Sequence, residues 1–176
     1  MLTPKQAIIT AYHVRHTHGS AILKKLGLLG KNDGILGRIM VHETIDLEDK
    51  LLSMVYANMT YGHYLTEEDR RIVYKYRTHS ATIHLRPLSH FTMFTPDGEV
   101  TMTPRVFHLA ISKKKFEKLM IHTLAHEMRH YWQLITGEIY NHGVFVRGMD
   151  ITPYKHSWRE KDANSFADEY IKEMNN

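Results

Sequence analysis

His126-Glu127-Met128-Arg129-His130 is an HExxH sequence inside an apolar-patterned run from Phe116 to Ile135. A helix turns about 100° per residue, so residues four apart stack on one face. His126 and His130 then project side by side with Glu127 adjacent, the arrangement that a tetrahedral zinc ion and its general base require. Phe116, Met120, Leu124, Met128, Tyr131 and Ile135 form an apolar stripe at helical spacing, roughly opposite the histidine edge. The pattern predicts a helix buried along that stripe, with Ser112 as N-cap and Gly137 as its stop. A motif this short also arises by chance, as an amphipathic helix with polar surface histidines, so its context decides its weight.

That context is a second helix-like segment, Trp158 to Tyr170. Ala163, Phe166, Ala167 and Tyr170 make a small or apolar face able to lie close against the first helix, and Glu160 projects from the seam one turn before Ala163. Glu160 is the expected third ligand. HExxH followed about thirty residues later by ExxAxxFA resembles the glutamate-zincin metallopeptidases, most closely the ImmA/IrrE-like group of bacteria, their phages and mobile elements. The resemblance covers about residues 106–170. It implies zinc bound by His126, His130 and Glu160, with Glu127 as the catalytic base.

A competing likeness involves Asn141-His142-Gly143-Val144-Phe145, which is similar to the HGxxF segment of SprT-like proteases and would make His142 the third ligand instead. Glu160 is preferred because ExxAxxFA accounts for a whole helix face, whereas His142 has only Gly143 and Phe145 beside it in a loop-like context.

The 176 residues, 43% of them apolar, suit one domain spanning 1–176, with a helical N-terminal extension over 1–30 and the sheet plus metal-binding helices over 80–176. With no cysteine, a metal site must use histidine and carboxylate donors. The opening Met1-Leu2-Thr3-Pro4-Lys5-Gln6 lacks a basic region followed by an apolar stretch, and no apolar run approaches the roughly 18 residues of a membrane span, so a cytoplasmic location away from membranes is expected. A net charge of +4 decides nothing about a nucleic-acid partner. Lys113-Lys114-Lys115 reads as a solvated first turn, with a phosphate contact as the alternative.

Thr3-Pro4-Lys5-Gln6 reads as N-cap, proline at N1 and capping-box glutamine, opening a helix to about His16 whose apolar face is Ile8, Ile9 and Tyr12. Gly19-Ser20 is expected to restart the chain, with a second short helix over Ala21–Leu26 stopping at Gly27. Such a pair is either a helical hairpin packed on the body or a DNA-binding helix-turn-helix with Lys24 and Lys25 exposed. Ile35 to Ile45 could be extended. Asp46 starts a predicted helix carrying Leu47, Leu51, Met54, Val55 and Met59, and Thr66 starts another through Tyr76.

Between Ser80 and Ser112 the β-prone runs Thr82–Leu85, Phe91–Phe94, Val100–Met102 and Val106–Ile111 predict a small mixed or antiparallel sheet, with residues 95–99 as a hairpin turn. The fold expected is α+β and zincin-like: the sheet packed on the HExxH helix and the C-terminal ligand helix, with N-terminal helices. An edge strand beside such a cleft can pair with an extended peptide.

The implied activity is zinc-dependent hydrolysis of peptide bonds in a protein or peptide partner. Tyr154, His156 and His142 are the candidates for the oxyanion donor, and Asn164 for orienting a ligand. The other class of reading is a regulatory, peptidase-like binding module acting on a DNA-bound factor. Glu127 argues for the enzyme, since a purely structural metal site has no use for a base beside its ligand.

Overall fold

The computed structural model describes residues 2–44, 57–60, 81–88, 93–94, 100–101, 112–138 and 157–176. The first helix, α1 (Pro4–Lys25), starts where its capping box is written. Thr3 N donates to Gln6 Oε1 at 2.9 Å and Gln6 N donates to Thr3 Oγ1 at 3.2 Å, so two of the helix's orphan donors are satisfied reciprocally.

Two expectations about α1 are corrected. The helix does not break at Gly19 but runs unbroken to Lys25, with the stop at Gly27 in the left-handed region. No helix-turn-helix is formed. Gly19 is buried inside the helix, where a Cβ would stand 3.2 Å from Leu36 Cδ2 and 3.6 Å from Ile39 Cδ1, so the glycine permits a close approach rather than a turn. Of the expected apolar face Ile8, Ile9 and Tyr12, only Ile8 packs against the core, and it is partly buried. Ala7, Ala11, Val14, Ile22 and Leu23 are fully buried, whereas Ile9 and Tyr12 are exposed. Small side chains thus make up much of the buried face, which permits close packing. Lys25 is drawn to the C-terminal helix by Glu173, at 2.8 Å, and Glu169, at 3.6 Å.

After a 3₁₀ turn over Asp33–Arg38 come β1 (Ile39–Val41), β2 (Ala57–Thr60) and β3 (Thr82–Leu85). Their order is β1-β3-β2. β1 runs parallel to β3, pairing Ile39 with Ile83, and β2 runs antiparallel, pairing Met59 with Ile83. The sheet is therefore mixed. Met59, expected on a helix, is in a strand; the i, i+3, i+4 pattern of the preceding residues cannot by itself say where it ends, and ladder hydrogen bonds with β3 set the conformation there. β4 (Met93–Phe94) and β5 (Val100–Thr101) form a separate antiparallel pair. The expected helix from Thr66, the turn over 95–99 and the run Val106–Ile111 lie outside the described residues.

Along β3, Ile83 and Leu85 are fully buried while Thr82 and His84 are half-buried, the period-two signature of one face on the core. That face joins residues of three helices among the described residues in a single apolar cluster that includes Val14, Phe116, Leu124 and Phe166. The chain is an α+β protein in which the central helix α2 (Lys113–Thr136) packs against α1, β2, β3 and the C-terminal helix α3 (Trp158–Met174). No helix among the described residues is long and apolar enough to cross a membrane.

Two outcomes follow from this packing. Gly19→Val forces two methyl groups against Leu36 and Ile39 and should cost about 1–3 kcal/mol in urea unfolding. His84 lies with Nδ1 2.8 Å from His42 Nε2, and burial, followed by the His42 and Arg86 charges, lowers its pKa from 6.5 to about 4. The unfolded chain takes up this proton near 6.5 and the folded chain only near 4, so stability is lost as pH falls through that window. His84→Asn should narrow the gap between urea midpoints measured at about pH 7 and pH 4.5.

Candidate metal centre

Both helices that carry the motif residues begin at a serine cap. Ser112 Oγ accepts from Lys115 N and Ser157 Oγ from Glu160 N, and Gly137, at φ 82°, ends α2 in the left-handed conformation. The predicted stripe is the buried one: Phe116, Met120, Leu124, Met128 and Tyr131 are inside, with Ile135 partly so. On α3, Ala163, Phe166, Ala167 and Tyr170 are buried as expected. Lys113, Lys114 and Lys115 are exposed.

The side chains between the helices pair in a regular series. His122 meets Asp168, His126 meets Asn164, and His130 meets Glu160, so each step of four up α2 matches a step of four down α3. This is an antiparallel seam one helical turn per rung. The fully buried Ala125, Ala163 and Ala167 leave room for it.

At the inner rungs three donors converge. His126 Nε2 lies 3.0 Å from His130 Nε2, His130 Nε2 lies 3.0 Å from Glu160 Oε1, and His126 Nε2 lies 3.2 Å from Glu160 Oε2. The edge of a tetrahedron with bonds of about 2.0–2.1 Å is about 3.3 Å, so the spacing is close to that of one face of a four-coordinate site. His126, His130 and Glu160 are a group that could hold a metal ion, found among the described residues.

Hydrogen bonding on the far side of each ring shows what the near side offers. His126 Nδ1 faces Asn164 Oδ1 at 2.9 Å, and His130 Nδ1 faces Gln133 Oε1 at 2.9 Å. Amide oxygens only accept, so a neutral ring in either contact would carry its proton on Nδ1 and turn an Nε2 lone pair inward. Two lone pairs and a carboxylate then meet with no donor among them. A cation among them, either a proton or a metal ion, stabilises such a cluster. In keeping with this, burial lowers the His126 pKa, but the Glu160 hydrogen bond and the Glu127 charge outweigh it and raise it.

Glu127 is 8% exposed, and burial pushes its carboxyl above the usual range against the opposing pull of His130 and His126. Glu160 occupies the third position of α3, where a capping-box glutamate would turn back to the Ser157 backbone; its carboxylate is directed at the histidines instead, still within the favourable field of the helix N-terminus.

The sequence did not reveal the support behind His130. Gln133 is fully buried, and Arg129 forms a two-pronged ion pair with Asp162, at 2.7 and 2.9 Å, while stacking 3.7 Å above Trp132. Burial raises the Asp162 carboxyl, but Arg129 and Gln133 outweigh it and hold it below the usual range. Gln133, three residues after His130, could have been singled out by helical spacing; its link to Asp162 depends on how the two helices dock. His142, Tyr154 and His156 lie outside the described residues.

No protein-family model, curated protein or solved structure matches this chain. The centre therefore stands on its own geometry. Glu160→Ala removes one of three converging donors and should weaken metal binding by more than the roughly 10- to 100-fold typical of losing an outer partner, while His142→Ala should bind metal as the wild type does. Metal titration of both variants against a chromogenic chelator reads this, and the reverse result would assign the third donor to His142.

Proposed function

We propose that this chain is a zinc-dependent metallopeptidase of the glutamate-zincin type that hydrolyses peptide bonds in a protein or peptide partner. The observation that carries the reading is the convergence of His126, His130 and Glu160 with Glu127 buried beside them. A donor set of two imidazoles and one carboxylate, without thiolates, is the kind that leaves a fourth position open in catalytic zinc sites. The order of elements, with a small sheet against the HExxH helix and the ligand helix after it, supports the zincin-like reading of the α+β fold.

His126, His130 and Glu160 would hold the zinc, which when bound would supply a Lewis acid able to polarise the scissile carbonyl and to lower the pKa of water toward neutrality. Glu127 takes the proton of the attacking water and delivers it to the departing amine nitrogen, so that the carboxyl ends the cycle as it began. Asn164 and Gln133 hold the imidazoles against rotation, and the apolar faces of α2 and α3 exclude bulk water from the rear of the site. The two carboxylates have separate duties because Glu160 is placed against both histidines while Glu127, on the motif helix, is left to act as a base.

Elemental analysis of protein purified without added metal should return about one zinc per chain. Glu127→Gln keeps the size of the side chain but cannot accept a proton, so it should retain zinc and fold while losing at least about 10²- to 10⁴-fold in turnover. Incubating zinc-loaded wild type and variant with an unfolded protein and sequencing new termini by mass spectrometry compares them. Equal cleavage by both would remove Glu127 from the role of base and favour the binding-module reading.

A further inference from the structure

We infer that Gln133 is a positioning residue that fixes His130 in the Nδ1–H tautomer, with Asp162 and the Arg159 carbonyl setting the direction of its amide. The inference rests on the reading of His126, His130 and Glu160 as a metal centre and concerns residues that do not touch the metal position.

Gln133 is fully buried, and its Nε2 donates to Arg159 O at 2.9 Å and to Asp162 Oδ2 at 2.8 Å. Both partners are acceptors. Turning the amide over would break both hydrogen bonds and set Oε1 against two oxygens at a fully buried position. The direction of the amide is thus decided by its surroundings, and Oε1 is left facing His130 Nδ1 at 2.9 Å.

Asp162 remains an acceptor because Arg129 grips both of its oxygens, and Arg129 is itself held over Trp132, with Phe166 5.4 Å away. The constraint therefore runs from a stacked guanidinium through a carboxylate and an amide to one imidazole nitrogen. Its consequence lies on the other side of the ring. A neutral imidazole has one N–H, so holding it at Nδ1 guarantees a lone pair at Nε2, the nitrogen that faces His126 and Glu160. Histidine free in water favours the opposite tautomer, which would aim an N–H at the incoming cation. The arrangement also keeps the ring from turning about its own axis, because rotation would lose the bond to Oε1.

The test uses the full chain with zinc as the probe. Gln133→Met preserves volume and removes the acceptor; Asp162→Asn places a donor where the amide needs an acceptor and lets it turn. In metal-free protein, above the pH at which the rings are neutral, long-range ¹H–¹⁵N correlations of the imidazoles distinguish Nδ1–H from Nε2–H. The wild type should show Nδ1–H at His130, Gln133→Met should shift it to Nε2–H, and Asp162→Asn should give a mixture. Zinc affinity by chelator competition should fall about 10- to 100-fold in Gln133→Met. A lowered melting temperature with the tautomer and affinity unchanged would reduce Gln133 to a packing residue and overturn the inference while leaving the metal centre intact. If Gln133→Met does not fold, Asp162→Asn decides by the same two readouts. Wild type that takes up no zinc would overturn the metal-centre reading, and this inference with it.

Discussion

Two imidazole nitrogens and a carboxylate face each other across the α2–α3 seam at 3.0–3.2 Å, a contact that repels unless positive charge lies among them. Holding such a contact requires a rigid frame. The frame is made by buried alanines on both helices, which bring the backbones close, and by the apolar stripe of α2, pressed from behind by α1 and the sheet.

The polar groups of the seam divide into those that stabilise the fold and those that burden it. The outer rung, His122 with Asp168, is exposed and contributes little. The Arg129–Asp162 pair is mostly buried but satisfied on several sides, by Gln133 and by the Trp132 face, which offsets its desolvation. The inner rung with Glu127 holds two carboxylates in a largely apolar surround and is the costly part. A cation bound by the native state and not by the unfolded chain would return that cost, by RT ln(1 + [L]/Kd), so occupancy of the centre and stability of the α2–α3 seam are thermodynamically linked.

The two buried carboxylates stand on different helices. Glu160 arrives from α3 and is set against both histidines by docking, whereas Glu127 arrives from α2, one residue from His126. Burial then raises the basicity of Glu127 without need of a further partner.

How much of this was legible in the sequence depends on the range of the interactions involved. The α2 helix, its Ser112 and Gly137 ends, its buried stripe, the Ala163–Ala167 face of α3 and the capping box of α1 are set by contacts within a turn or two, and their residue patterns record them. His126 and His130 share a face for the same local reason. Tertiary structure decided the rest. Gly19 signalled a break because glycine is a poor helix former, yet the close approach of Leu36 and Ile39 gives it a place inside α1. Ile9 and Tyr12 looked like the core face until α1 docked through its alanines. Met59 fitted a helical pattern and lies in a strand because β3 supplies its ladder partners. Glu160 was a candidate by spacing, but its arrival between two histidines, and the amide direction of Gln133 behind one of them, require α3 to lie antiparallel on α2. That registry arises from side chains some thirty residues apart, and no local pattern contains it.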